Sequence, residues 1–341
     1  VASQKIGGHC SDEASVQNED YFAPAAMGFF AGGDWSNTRD VASPPNVSDT
    51  SHIEQSLITY IDIATTGRIA FFGDLREPLD QLWGGFASST RGGTMGGSTA
   101  TAGYTDMIQF VTFSTKGKAT DFGNLTASRS EVTSTSNNTR GLGWGGNNSG
   151  LSNADNIEYI TIASAGNATD FGDMLATNAN GFMSASSPTR AVYAGGSTGG
   201  GGANANVIQY VTIASTGDAT DFGDLTVGRE GGSAVSNNTR AVFAGGISAS
   251  GTEDTMDYIT IASTGDATDF GNLTQNGYYL PATSSSTRGV FGLRARDADT
   301  DVLDYITIAS TGNATDWGDW WKDFTNEYGG AGFSNSHGGI S

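Results

Sequence analysis

The sequence predicts an all-β chain folded as a β-propeller of six four-stranded blades. Three observations carry that reading: a sixfold repeat, a two-residue hydrophobic alternation inside it, and glycine in large excess over proline. Aligning Tyr60-Ile-Asp-Ile, Phe110-Val-Thr-Phe, Tyr159-Ile-Thr-Ile, Tyr210-Val-Thr-Ile, Tyr258-Ile-Thr-Ile and Tyr305-Ile-Thr-Ile gives steps of 50, 49, 51, 48 and 47 residues. Short strands recurring at this period mark a propeller, because each repeat can bury its apolar faces only against its neighbours. The 341 residues fit one such unit, and 50 glycines beside 6 prolines belong to turns rather than to a disordered Pro/Gly segment.

Each Tyr-Ile-Thr-Ile run has the alternation of a strand and continues through a glycine-centred turn into a second apolar run, as from Tyr258 to Leu273. Another pair precedes it, clearest from Gly231 to Gly246, where an Asn-Asn-Thr turn joins two short strands closed by a Gly-Gly doublet. Every blade therefore has four antiparallel strands. The blades lie near 84–125, 131–174, 181–225, 231–273 and 278–320, and a further one near 27–75 begins at its second strand, Met27-Gly-Phe-Phe-Ala. Residues 329–336 (Gly-Gly-Ala-Gly-Phe-Ser-Asn-Ser) read as the missing first strand, so the ring is expected to close there and hide edges that would otherwise be open. Residues 1–26, outside the repeat and carrying Asp12, Glu13, Glu19 and Asp20, form an N-terminal arm ahead of the 27–341 propeller.

This strand order resembles the kelch repeat over roughly residues 27–337. Two departures stand out. The fourth strand carries Asp-Phe-Gly or Asp-Trp-Gly (Phe122, Phe171, Phe222, Phe270, Trp317) where kelch repeats usually hold Trp, and Leu293-Arg294 replaces the last Gly-Gly doublet.

Sixteen Lys and Arg against 36 Asp and Glu give a net charge of −20, which repels phosphate backbones and anionic lipid, so neither nucleic acid nor membrane insertion is expected. No apolar run is long enough to span a bilayer and no secretory signal is present. The chain starts at Val1 rather than Met, consistent with a leader or pro-segment ahead of it. The single cysteine, Cys10, excludes an internal disulfide framework.

Enzymatic chemistry is not expected. The histidines are His9, His52 and His337, and the adjacent His9 and Cys10 are two ligands rather than a metal site. The arginines recur at one repeat position, unlike the clustered arginines of a sialidase, and the acidic residue of Ser-Thr-Gly-Asp-Ala-Thr-Asp follows its glycine, unlike the sialidase Asp-box. Asp297, Asp299 and Asp301 alternate like the first half of an EF-hand loop, which makes them the candidate Ca2+ ligands. Val302 stands in place of the turn glycine, however, and Ile308 in place of the closing Glu, so an acidic loop without cofactor is the expectation. Asn137, Asn167, Asn237 and Asn313 begin Asn-X-Ser/Thr triplets inside repeated turns, acceptors for glycan only in a eukaryotic secretory host.

Function is expected where the repeats differ. Connections between second and third strands (34–56, 98–106, 147–156, 197–206, 247–256, 294–302) vary in length and composition, and the longest, with Trp35, Pro44, Pro45 and His52, is the first candidate for partner contact. The wording Tyr-Ile-Thr-Ile-Ala-Ser-Thr-Gly-Asn-Ala-Thr-Asp resembles repeats of virion structural proteins from tailed phages of marine bacteria. That resemblance implies a capsid-decoration, tail-fibre or adaptor protein, with protein partners in a larger assembly and a host-surface glycan as a possible contact. The alternatives are a secreted bacterial surface or matrix protein and an intracellular scaffold.

One pairing is expected from comparing repeats. Arg91, Arg140, Arg190, Arg240 and Arg288 open the second strands of five blades, and the same five carry Asp121, Asp170, Asp221, Asp269 and Asp316 before the fourth-strand aromatic. The blade with Met27 and Phe71 at these positions lacks both, so the two are expected to meet in charge-assisted pairs.

Overall fold

The computed structural model describes residues 26–36, 52–67, 69–99, 102–148, 155–175, 180–197, 204–292, 302–319 and 329–340. Strands and turns make up this part of the chain, with no helix among the described residues. Five four-stranded antiparallel sheets and one five-stranded sheet account for the repeats, and the architecture is propeller-like.

The sheet formed by Ser233–Ser236, Arg240–Ala244, Thr255–Thr260 and Thr268–Asn272 shows how the repeat folds. Asn237 turns the first strand into the second: its side-chain oxygen accepts from the Thr239 amide (3.0 Å) and the Arg240 amide (2.8 Å), an Asx turn. Gly245 and Gly246 end the second strand at φ 63° and 106°, a left-handed pair that a Cβ would strain. The outer two strands carry a β-bulge that leaves Phe270 without a partner between Asp269 and Gly271. The same bulge recurs at Phe72, Phe122, Phe171, Phe222 and Trp317. It directs the aromatic inward, where Phe270 is 2% exposed, and its aspartate neighbour outward.

The remaining sheet is assembled from distant segments. Met27–Ala31 pairs antiparallel with His52–Asp62 on one side and with Ala331–Ser334 on the other, so that Phe29 stands opposite both Tyr60 and Phe333. Phe29 stacks on Phe333 at 5.2 Å and on Phe113 at 4.6 Å. The six first strands are Gly85–Ala87, Thr133–Ser136, Asn180–Ser186, Ser233–Ser236, Ala282–Ser284 and Ala331–Ser334. Each touches the next in this order, and Ala331–Ser334 also touches Gly85–Ala87. The apolar cores lie between sheets: Leu142, Trp144 and Phe171 of one pack against Tyr193 and Val211 of the next. Hydrophobic burial thus couples each sheet to its neighbour.

The expected arginine–aspartate pairs are not formed. Arg91, Arg140, Arg190, Arg240 and Arg288 lie half-buried over the third-strand ring of their own sheet, 4.2–4.9 Å from the centroids of Phe110, Tyr159, Tyr210, Tyr258 and Tyr305. Each guanidinium also donates to a main-chain carbonyl of the following sheet: Ala163 (3.1 Å), Ile213 (2.8 Å), Ile261 (2.9 Å), Ile308 (3.1 Å) and Ile63 (3.1 Å). Asp121, Asp170, Asp221, Asp269 and Asp316 instead face solvent on the bulged outer strand. Asp121 pairs with Arg76 there, and Asp316 accepts from the Gly318 amide. The repeat with Met27 in the arginine position still has a cation on its ring, because Lys116 Nζ sits 5.2 Å from the Tyr60 centroid. The joint absence of arginine and aspartate from this repeat therefore does not reflect a contact between them.

The buried charges lie elsewhere. A polar residue one place before the third-strand aromatic accepts from the chain that leaves the preceding sheet. Gln109 receives the Arg76 amide (2.8 Å), Gln209 the Leu175 amide (2.9 Å), and Asp304 the Thr274 amide (2.7 Å). Glu158 receives the Thr126 amide (3.0 Å), and Asp257 receives the Thr226 hydroxyl. Arg129 pairs with Glu158 and Arg229 with Asp257, all four side chains within 1% of full burial.

Candidate binding face and axial channel

The strand ends define two unlike faces. On the face of the short hairpins the repeated residues bind sheet to sheet. The hairpin glycines Gly117, Gly166, Gly217, Gly265 and Gly312 donate to the preceding sheet at Phe72, Phe122, Phe171, Phe222 and Phe270 (2.7–3.1 Å). The next residue caps the same strand: Asn167, Asp218, Asp266 and Asn313 accept from the amides of Asn124, Asp173, Asp224 and Asn272 (3.0–3.1 Å). The Ser-Thr-Gly-Asp motif is therefore a joint between sheets. Each hairpin glycine packs where a Cβ on the preceding sheet's strand-four glycine would strike it, as at Gly123 against Gly166. Asn137 and Asn237 cap turns through their side-chain oxygens.

Residues of all six first strands line a common channel. At one level its wall is a belt of hydroxyls: Ser136, Ser186, Ser236 and Ser284 each donate to the carbonyl one sheet back, at Ala87 (2.8 Å), Ser136 (2.7 Å), Ser186 (2.8 Å) and Ser236 (3.1 Å). On the hairpin face the segment 335–340 crosses the channel end. The Gly338 amide donates to Ser236 (3.0 Å), and the Gly339 amide donates to Nδ1 of His337 (3.1 Å). Nδ1 is therefore the acceptor, and Nε2 carries the proton toward the Ala87 carbonyl (3.3 Å). Burial lowers the His337 pKa to about 4, against a smaller opposing effect of the Ala87 bond, and the ring is neutral. Above it lies a cavity of ≈ 50 Å³ lined by serines and alanines.

The opposite mouth has a different character. At or just ahead of the start of each first strand one residue is in left-handed conformation: Gln81 (φ 53°), Glu131 (57°), Gly181 (84°), Gly231 (68°), Tyr279 (55°) and Gly329 (69°). They are linked across sheets, with Glu131 N to Gln81 O at 2.9 Å, Gly231 N to Gly181 O at 2.7 Å and Tyr279 N to Gly231 O at 2.5 Å. Trp83 reaches across the bare Gly329-Gly330 and meets Tyr279 at 4.9 Å between centroids. Glu131 accepts from the Asn147 side chain at 2.8 Å. Its carboxyl is pushed up to about 7 by burial, then by the charges of Glu230 and Asp80. Burial raises Glu230 as well, opposed by a bond from Ser197. The second strands end on this face, where the connections to the third strands depart, since each first strand begins beside the end of its second strand, as Thr133 does beside Trp144.

Of the partner-contact candidates, Trp35 and His52 belong to neighbouring strands of one ribbon, Asp34–Ser36 and His52–Asp62, with Ser36 opposite His52. Pro44, Pro45, the aspartates 297, 299 and 301, His9 and Cys10 lie outside the described residues, as does the 1–25 part of the arm. No group of three or more His, Cys, Asp or Glu among the described residues is placed to hold a metal, and no helix is long and apolar enough to cross a membrane. Sequence reasoning missed Gln81, Trp83, Glu131 and Tyr279. Glu131 and Tyr279 stand five residues before the last residue of their first strands, as Gly181 and Gly231 do, so extending the alignment into the linkers exposes the substitution of glycine. Gln81 is offset by one residue and escapes even that.

No protein-family model matches this chain, and no curated protein sequence matches it.

Proposed function

We propose that the six sheets are kelch-like blades closed into one ring, and that the protein is a non-enzymatic binding propeller. The observation that carries this reading is the division of labour between the faces. Repeated side chains are engaged in sheet-to-sheet joints on the hairpin face, whereas the unrepeated ones gather around the other mouth. Ring closure is supported by the pairing of Met27–Ala31 with Ala331–Ser334 and by the Arg288 bond to Ile63. The repeat wording supports a virion component, a capsid decoration, tail fibre or adaptor, seated in a larger protein assembly by its 1–26 arm and turning the varied loops outward. Mass spectrometry of purified particles from the source tests this: the chain is expected among the virion proteins, and its absence overturns the virion reading in favour of a secreted surface protein or a scaffold. Deleting residues 1–22 is expected to abolish incorporation and leave the melting temperature unchanged; normal incorporation refutes the docking role.

A further inference from the structure

The left-handed ring around the varied mouth is the same backbone feature made six times. Three sheets build it with glycine, which adopts that conformation without steric cost, and three with Gln81, Glu131 and Tyr279. Among the described residues these are the non-glycine positions with φ in the left-handed region. The backbone needs no side chain there, as Gly181, Gly231 and Gly329 demonstrate. Side chains kept at a conformational cost cluster where they contact something other than the fold.

What they present is specific. Trp83 and Tyr279 form a tilted aromatic pair over a cleft of ≈ 10 Å³ walled by Gly231 and Gly329. The indole N–H of Trp83, which lines that cleft, is buried with no protein partner, and so is the amide oxygen of Gln81, two residues earlier in the chain. A donor and an acceptor left unpaired beside an aromatic face fit a ligand with alternating hydroxyls and C–H faces. Glu131 and Glu230 stand close together at the same mouth, and their charge disfavours an anionic ligand. The cleft is too small to enclose a sugar ring, which would instead lie across the mouth with one edge against the indole.

We propose that this mouth is a binding site for a neutral saccharide, stacked on Trp83 and Tyr279 and hydrogen-bonded by the Trp83 indole and Gln81. The assignment rests on reading the varied face as the binding face, and not on the virion reading. The test uses the full chain titrated with cellohexaose, maltohexaose, a galactan and a mannan, with sialyllactose as the anionic probe, followed by calorimetry and tryptophan fluorescence. At least one neutral probe is expected to bind with a tryptophan emission change, and sialyllactose more weakly. Trp83→Ala, Gln81→Gly and Tyr279→Gly are each expected to weaken binding about tenfold or more. The two glycine variants place the residue their neighbours use and are expected to fold normally by circular dichroism, which separates loss of a site from loss of the fold. Absence of binding by all four neutral probes, tighter binding of sialyllactose, or undiminished binding in folded Tyr279→Gly and Gln81→Gly would overturn the assignment. Failure here with the chain present in particles leaves the virion reading standing, and binding here with the chain absent from particles does the reverse.

Discussion

Arg288 donates a 3.1 Å hydrogen bond to the carbonyl oxygen of Ile63, a residue 225 positions earlier in the chain. The bond is the same one that Arg140 makes to Ile213 one sheet on, so the last repeat treats the first as its successor.

Removing that arginine should therefore loosen the junction between distant parts of the sequence. Arg288→Ala gives up a second bond to Ala64 (3.2 Å) and the stacking on Tyr305 as well, and is expected to cost about 1–2 kcal/mol. Asp316→Asn, on an exposed residue, is expected to change stability by less than about 0.5 kcal/mol. Thermal or urea unfolding checks both. Equal losses in the two variants would mean that arginine and aspartate act as a pair after all.

The chain itself contains a neutral version of the Arg229–Asp257 site. In the equivalent places stand Leu79, fully buried, and Gln109, which receives the Arg76 amide. Arg229→Leu alone strands a buried carboxylate and is expected to cost about 3 kcal/mol, whereas Arg229→Leu with Asp257→Gln should come within about 1 kcal/mol of the parent. A double-mutant cycle by denaturant unfolding measures the coupling, and additive losses would contradict it.

The blade-like repeat was plain in the sequence because strand alternation and turn glycines are local signals. The partners of the repeated arginines were not. Co-occurrence of Arg91 with Asp121 suggested contact, yet the bulge that skips Phe122 turns the aspartate outward, and a bulge is a register detail that the hydrophobic pattern does not record. Carbonyl acceptors such as that of Ile63 have no side-chain signature at all. The buried Arg129 and Arg229 occur in two repeats only and so leave no sixfold signal in the sequence. The varied face was legible as a face, through loop divergence. Its chemistry was not, because Trp83 and Tyr279 lie in sequence segments far apart, four repeats from one another, and become neighbours only across Gly329-Gly330.

Acidity should act on the two ends of the channel in opposite directions. His337 has its pKa lowered from 6.5 to about 4 in the folded chain, so its contribution is fully present above about pH 6.5 and is lost as pH falls toward 4. Glu131 is raised from 4.5 to about 7, so the folded state binds its proton more tightly: the favourable contribution is fully present below about pH 4.5 and is lost as pH rises through 7. Glu131→Gln is accordingly expected to raise the melting temperature at pH 8 and to leave it nearly unchanged at pH 4.5. His337→Gln should flatten the decline between pH 6.5 and 4. Melting curves over this range check both signs.

Truncation before Gly329 removes the strand that pairs with Met27–Ala31 and the segment that crosses the channel. It exposes Phe29, Phe113 and Ala87 at once, and a sharp fall in melting temperature is expected. An unchanged melting temperature would show that the 331–334 strand contributes little to the fold.

The joints on the hairpin face are written in nearly the same residues each time, so any repeat offers the next the same socket. Such sockets carry no address: a chain that skipped a whole repeat while folding would find its bonds satisfied at every ordinary junction. The sheet that joins residues 27–31 to 331–334 is different, because Phe29 opposite Phe333 and the 335–340 segment threaded onto Ser236 join segments about 100 to 300 residues apart through contacts that the ordinary junctions do not repeat. That one sheet is where the assembly can be proofread.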